Sequence, residues 1–350
     1  MLLIDQQLLR SVNEAEKLED LFPMLQQAIE LEHSTIPPYL TALFSFKPDK
    51  GQSIRSIIHS IVIEEMMHMT IACNILNALG GEPIISKPHF VPSYPTHLPM
   101  CIGDSLIVGL ERYSRELVKD VFMKIEEPNN PLHFPTKKMF ASVEPEYKTI
   151  GDFYVALQAK IKEIAPDILP GEESRQVTSN FFPVDLLYPI RTKEDAVNSI
   201  NTIVKQGEGT PTSPAGVDNT LAHFYKFEEL FQGNELVVDP CTPNGYAFYG
   251  PEIPFEPADV QPLYPNTKAS MFDHGTEERR LIDLFNQQYS NMLYGLHQTF
   301  NGRPEKLSSN IGLMIDLRLT CQKMAQMPFP GKNDYTIGPS YEFMPPTQLN

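Results

Sequence analysis

Glutamate, methionine and histidine occur together in one short stretch of the sequence, Glu64-Glu65-Met66-Met67-His68. In a helix, Glu65 and His68 project from the same face because they are three residues apart. The apolar residues in the same helical phase are Ile58, Ile61, Ala72, Ile75 and Leu79. An unpaired charge facing a core costs several kcal/mol, and a metal ion removes that cost. Glu-x-x-His is the inward motif of di-metal carboxylate bundles. Glu64 is the alternative ligand, at the edge of this face.

A further carboxylate falls on the apolar face of the preceding predicted helix. Apolar residues recur there with a period near 3.6, and Glu32 fills a gap in the series between Ile29 and Ile36. Glu30 and His33 repeat the Glu-x-x-His spacing but lie off this face, so we expect them on the surface. The three inward groups predict half of a di-metal site. The alternative is that they are hydrogen-bonded core residues without a metal.

Two long helices must position these groups. Residues 16–46 predict the first helix, with Pro37-Pro38 expected to kink it without ending it. Residues 52–79 predict the second, which Gly80-Gly81 should end. The short connection between the two helices implies an antiparallel hairpin, which would bring the carboxylates together.

The rest of the chain predicts further helices separated by proline-rich loops, in keeping with 32 prolines among 350 residues. The fold class is therefore mainly α. The further predicted helices cover residues 104–126, 149–165, 192–206, 218–232, 275–300 and 306–326.

The charge balance excludes several classes of function. The net charge of −16 disfavours a nucleic-acid or anionic-membrane partner, since both require a basic face. The four cysteines form no Cys-x-x-Cys pair, which argues against a cysteine zinc site and against a disulfide scaffold. No signal peptide and no membrane-spanning apolar segment are evident, so a cytoplasmic location is expected.

Several segments resemble a known family. AIELEHSTIPPYLTALFSF and SIVIEEMMHMTIACNILNALGGEP are similar to the ferritin-like domain of iminophenyl-pyruvate dimer synthases. The resemblance covers about residues 20–232. In ferritins and rubrerythrins a ligand glutamate precedes a core tyrosine by seven residues, a spacing that Glu32 and Tyr39 share. Further similar segments are FVPSYPTHLP, MKIEEP, TIGDFYVAL, IVKQGEGT and LAHFYKFEEL.

The resemblance implies a second half-site. Its TIGEFY motif corresponds to Asp152 here, one methylene shorter than the family's glutamate, and its QGEG motif corresponds to Glu208. The family's Glu-Leu-Ser-His-Tyr motif keeps His223 but has Thr220 in place of glutamate. The implied metal ligands are Glu32, Glu65, His68, Asp152, Glu208 and His223. The resemblance assigns no catalytic residue.

The resemblance also implies an architecture and an activity. Residues 1–232 would form a ferritin-like metal-binding bundle with additional helices and long proline-rich loops. Residues 233–350 would add a proline-rich segment and two helices that pack on it. The implied cofactor is one or two iron ions, and the same ligands suit Mn or Zn. The expected activity is a non-haem iron oxidase or oxygenase that acts with O2 on a small, amino-acid-derived substrate, and a homodimer is a compatible assembly. The alternatives are a non-catalytic iron-handling protein and an interaction module with a decayed site.

Overall fold

The computed structural model describes residues 5–100, 106–136, 150–179, 181–216 and 219–345, and the fold over these residues is mainly helical. The helices are α1 (Gln6–Glu14), α2 (Phe22–Phe44), α3 (Gln52–Ala78), α4 (Arg115–Leu117), α5 (Met123–Ile125), α6 (Ile150–Ile164), α7 (Lys193–Glu208), α8 (His223–Gln232), α9 (Glu277–Phe300) and α10 (Leu307–Met324). No helix in these described ranges is long and apolar enough to cross a membrane.

The predicted hairpin of α2 and α3 is the centre of the fold. Helix α2 continues through Pro37 and Pro38 without a stop. Pro38 has no N–H to offer the Ser34 carbonyl, and the Tyr94 hydroxyl donates to that carbonyl at 2.7 Å instead. Gly51 caps α3 with a φ of 60°, and a Cβ at this position would overlap the Phe46 ring. The hydrogen bond from Tyr94 explains how α2 accommodates Pro38, and the close approach of the Phe46 ring explains why glycine is found at position 51.

The helix predicted over residues 104–126 is wrong in its first half. Residues 104 and 105 lie outside the described residues, and 106–114 are not helical. Val108 instead exchanges two backbone hydrogen bonds with Thr96. The helix begins only after Ser114, whose hydroxyl accepts from the Leu117 N–H at 3.0 Å. A π-helical turn, Val118–Phe122, then joins α4 to α5.

The helix predicted over residues 218–232 is also shorter than expected. Residue 218 lies outside the described residues, and α8 begins at His223. The chain before it folds back, since the Ala222 N–H donates to the Pro214 carbonyl at 2.8 Å. This turn fixes His223 as the first residue of the helix. Helix α7 begins closer to its predicted start because Thr192 and Asp195 form a capping box.

The C-terminal part of the chain packs on the hairpin. Helices α9 and α10 pair with each other, while α9 contacts α3 and α10 contacts α2. The Asn77 side chain on α3 donates to the Phe300 carbonyl at the end of α9, at 2.8 Å. The short antiparallel strand pairs are β1 (Val237–Val238) with β2 (Tyr246–Ala247) and β3 (Pro328–Phe329) with β4 (Lys332–Thr336).

Candidate metal centre

Five acidic and imidazole side chains converge between the helices. Glu32 comes from α2, and Glu65 and His68 come from α3 as the sequence predicted. His223 is the first residue of α8, and Glu126 follows the end of α5. All five are buried, with at most 9% of each residue exposed. The long helix pair therefore supplies three groups, and two separate segments bring one group each.

Glu65 lies between the two histidines. Its Oε1 is 2.8 Å from His223 Nδ1 and 3.8 Å from His68 Nδ1. The Glu65, His68 and His223 donor atoms all lie within 4.8 Å of one another, which is compatible with a metal site. Each histidine has a further carboxylate near its Nδ1. Glu32 is 3.6 Å from His68, and Glu126 is 3.6 Å from His223. The cluster thus consists of two similar sets that share Glu65.

The other nitrogen of each imidazole is held by a separate acceptor. His68 Nε2 is 2.9 Å from Gln206 Oε1 on α7. His223 Nε2 is 2.8 Å from Glu64 Oε2, and Lys226 Nζ donates to both Glu64 oxygens at 2.7 Å. These acceptors keep a proton on each Nε2, so a neutral ring presents a lone pair at Nδ1. Metal-ligating histidines are usually oriented in this way. Glu64, the alternative ligand, thus orients His223 in this structure.

The residues fit a bound cation. His223 Nδ1 is buried and has no hydrogen-bond partner among the described residues, although carboxylate oxygens are close to it. A lone pair that faces carboxylates is unfavourable unless a proton or a metal ion lies between them. The donor set of imidazole and carboxylate suits Fe, Mn or Zn. The orphaned nitrogen is the observation that best supports a metal here.

The remaining carboxylate oxygens are also hydrogen-bonded. The Tyr39 hydroxyl donates to Glu126 Oε1 at 2.6 Å, and the Tyr154 hydroxyl donates to Glu32 Oε1. Thr35 Oγ1 is 2.9 Å from Glu65 Oε2. Each carboxylate is therefore anchored through one oxygen while the other faces the imidazoles, which is the preorganisation that a metal site needs.

The pKa shifts follow from burial and crowding of negative charge. Burial raises the pKa of Glu65 to about 7, with repulsion from Glu126 adding to the rise. Burial alone would lower the pKa of His68 and of His223, but their carboxylate neighbours outweigh it and raise both. Burial alone would raise the pKa of Glu64, yet the His223 hydrogen bond and the Lys226 charge lower it to about 2. The cluster therefore attracts positive charge.

A small cavity adjoins the cluster. Its volume is about 40 Å³, and Glu32, Glu65, His68 and Glu126 line one side of it. Glu208, predicted as a ligand, lines the same cavity and accepts a hydrogen bond from the Gly151 N–H at 2.9 Å. A Cβ at Gly151 would lie 2.5 Å from Glu208 Oε2, so glycine is needed for this approach.

Asp152 follows Gly151, the residue of α6 that contacts Glu208. It is half-buried in the first turn of α6 and does not line the cavity. The neighbouring Tyr154, two residues further on, reaches the site instead through its bond to Glu32. Of the six predicted ligands, the structure groups Glu32, Glu65, His68 and His223, with Glu208 beside them.

Sequence reasoning missed Glu126. The MKIEEP segment is similar to the family, but Glu126 was not among the residues expected to bind a metal. The available signal was Phe122, an apolar residue four positions earlier and in the same helical phase of the helix predicted over residues 104–126. Thr220, at the position where the family's motif has a glutamate, is exposed. Glu126 instead brings a carboxylate oxygen to within 3.6 Å of His223 Nδ1.

The prediction that Glu30 and His33 lie on the surface is wrong for His33. His33 is 2% exposed, and its Nε2 is 2.9 Å from the Tyr289 hydroxyl on α9. The face appeared free because α9 lies far away in the sequence. Burial lowers the pKa of His33 to about 3. His33 lies on a face of α2 different from that of Glu32.

Comparisons with known proteins agree with this architecture. A family model described as ferritin-like matches residues 25–232, more than half of the chain. The chain belongs to the ferritin-like family. A crystal structure at 1.95 Å resolution described as a ferritin-like protein from Caulobacter vibrioides is similar to this ferritin-like chain, with 20% sequence identity and a TM-score of 0.53. The alignment covers 86% of this chain and 95% of that one, and it supports the fold. No curated protein matches the sequence.

Proposed function

We propose that this ferritin-like protein is a metal-dependent oxidoreductase that uses iron and O2 to oxidise a small organic, amino-acid-derived substrate. The orphaned, buried Nδ1 of His223 beside Glu65 carries the metal part of this proposal. The substrate class is supported by the resemblance of the EEMMHM and IPPYL segments to iminophenyl-pyruvate dimer synthases.

The residues that would bind the metal would fall into two sets. Glu32 and His68 would bind a metal ion at one position, Glu126 and His223 would bind one at the other, and Glu65 would be shared by both. Bound iron would supply the one-electron redox chemistry that activates O2, which no amino-acid side chain provides. The protein's own part is to hold the imidazoles by their Nε2 atoms and to keep the carboxylates anchored by Tyr39, Tyr154 and Thr35.

The cavity beside the cluster supports a catalytic site over a closed storage site. Residues on its wall away from the cluster include Ile150, Ile203 and Val204, which are apolar, and Glu208, which is not. This lining sets Glu208, a carboxylate outside the two proposed ligand sets, beside the candidate metal positions. Glu208 is thus placed to accept a proton from a bound substrate.

Metal content and oxygen consumption test the proposal together. Tag-free protein should contain iron by elemental mass spectrometry, and Fe(II)-loaded protein should consume O2 when amino-acid-derived substrates are added. Glu65→Gln should lose the metal, while Glu30→Gln should keep it, because Glu30 lies on the same hairpin but pairs with Gln26. Circular dichroism should show that both variants remain folded.

Three outcomes separate the alternatives. Metal with substrate-dependent O2 consumption supports the oxidoreductase. Metal without O2 consumption, for a broad set of substrates, would favour iron handling. If neither Fe(II), Mn(II) nor Zn(II) binds anaerobically, the metal site is absent and the interaction module becomes the better hypothesis.

A further inference from the structure

A second cavity lies against a different face of the α2–α3 hairpin. It is about 50 Å³ in volume, a third of the roughly 150 Å³ of an apolar cavity that binds benzene, so a ligand of that size requires the lining to move. Helices α2 and α3 form one wall, and the C-terminal helices α9 and α10 form the other. Because His33 and Met66 directly follow Glu32 and Glu65 in the sequence, the hairpin separates this cavity from the metal centre.

The wall of this cavity is almost entirely apolar. Among the described residues, no aspartate, glutamate, lysine or arginine lines it. Four methionines contribute to the lining: Met66, Met69, Met292 and Met314. Methionine side chains are flexible and polarisable, so they adapt to a ligand of irregular shape. The cavity can therefore widen around a hydrophobic molecule but offers no counter-charge to an ion.

Two polar groups on the lining residues lack partners. His33 Nδ1 is buried and makes no hydrogen bond within the described chain, since only Nε2 bonds to Tyr289. The Tyr341 hydroxyl is also buried and has no well-formed hydrogen bond to a described residue, since Thr41 interacts with it only weakly. Buried polar groups without partners are uncommon and costly in folded proteins. A bound molecule with a polar group would remove this cost.

The position of Tyr341 is fixed by its neighbours. Its backbone φ is +48°, a conformation that costs a tyrosine free energy. The Asn286 Oδ1 atom on α9 holds this segment, accepting from Ser340 Oγ at 2.7 Å and from the Glu342 N–H at 3.0 Å. The surrounding structure thus maintains a strained residue at the cavity wall, as is common at ligand sites.

We propose that this cavity is a binding site for a small neutral molecule that is mostly hydrophobic and has one hydroxyl group, such as a phenol. A hydroxyl both donates and accepts, so it can pair with either His33 Nδ1 or the Tyr341 hydroxyl. A carboxylate or an ammonium group would be buried without a counter-charge and is excluded. The proposal does not depend on a metal at the other site.

Binding of phenol, benzene and benzoate to the full-length protein tests this directly. Calorimetry and ligand-observed NMR should show phenol binding about tenfold more tightly than benzene, because hydrogen bonds to unpaired buried groups add to apolar contact. Benzoate should not bind. Equal affinity for all three compounds, or no binding of phenol and benzene, would overturn the proposal.

Two sets of variants locate the site. Tyr341→Phe should remove most of the preference for phenol and leave benzene binding within about twofold. Ile311→Phe should block the cavity, since Ile311 lines it, whereas Ile315→Phe on the same helix should have no effect because Ile315 is 53% exposed. Phenol binding that survives Ile311→Phe unchanged, in a variant with native circular dichroism, would place the site elsewhere.

Discussion

At the scale of single residues, the candidate metal centre depends on which nitrogen of each imidazole faces the carboxylates. Gln206 and Glu64 hold the two Nε2 atoms, so both Nδ1 atoms are directed to the shared Glu65. Lys226 balances the charge of Glu64. The orientation of the ligands is therefore set by residues that would not touch the metal, and the sequence alone contained no signal for this arrangement.

Glu126 should be required for full metal affinity. Glu126→Gln keeps an oxygen for the Tyr39 hydrogen bond but removes the negative charge 3.6 Å from His223 Nδ1. We expect metal affinity to fall by about tenfold or more with unchanged helicity. Anaerobic metal titration measures this, with Glu127→Gln as the neighbouring control. Equal affinities of the two variants would remove Glu126 from the site.

Glu228 should make stability depend on pH. Its Oε2 is shielded and has no hydrogen-bond partner among the described residues, and burial raises the pKa of Glu228 to about 8 from 4.5. Between these values the folded state holds a proton that the unfolded state has released. This contribution to the free energy of unfolding is therefore present below pH 4.5 and is lost as pH rises towards 8.

Glu228→Gln removes this titration. The variant should be more stable than the wild type by about 1–3 kcal/mol at pH 8, and the difference should nearly vanish at pH 4.5. Urea unfolding at the two pH values provides the comparison. Glu305→Gln, at an exposed glutamate, should show the same small change at both. A stabilisation by Glu228→Gln that does not vary with pH would contradict the argument.

At the scale of elements, sequence periodicity predicted the positions of the long helices. It failed where contacts with distant parts of the chain determine the secondary structure or the burial of a residue. Helix α3 was predicted within a residue of each end, since its apolar face and its glycine signals agree. The segment before Ser114 has helical composition, yet its pairing with Thr96 makes it extended. His33 was placed on the surface because periodicity along α2 cannot reveal a helix that arrives more than 200 residues later. Three candidate ligands followed from helix phase, His223 came only from family resemblance, and Glu126 was identified only from the fold.

The cap at Ser114 should control the segment that carries Glu126. Ser114→Ala removes the acceptor for the Leu117 N–H and should lower the free energy of unfolding by about 1 kcal/mol. Ser114→Asp retains an acceptor and should restore most of this loss. Thermal unfolding of the metal-free variants measures both effects. If alanine and aspartate behave alike, the cap does not hold this segment.

At the scale of the whole molecule, the C-terminal helices should be necessary for the bundle to fold cooperatively. A chain of residues 1–232 would expose His33, Met66 and Met69, which α9 and α10 cover, and would leave Asn77 without the Phe300 carbonyl. We expect this fragment to have reduced helicity, a broad thermal transition and increased binding of a hydrophobic dye. A sharp transition with native helicity would instead support residues 1–232 as an independent domain.

The enclosure of α2 has a consequence for how this sequence can vary. Every residue from Leu31 to Phe44 is buried, with the candidate metal centre against one face and the apolar cavity against another. Most helices in globular proteins keep a solvent face that accepts almost any polar residue. Helix α2 has no solvent-exposed face between Leu31 and Phe44. Tolerance to substitution should therefore be low at every one of these positions, without the periodic recurrence of tolerant positions that is usual along a surface helix.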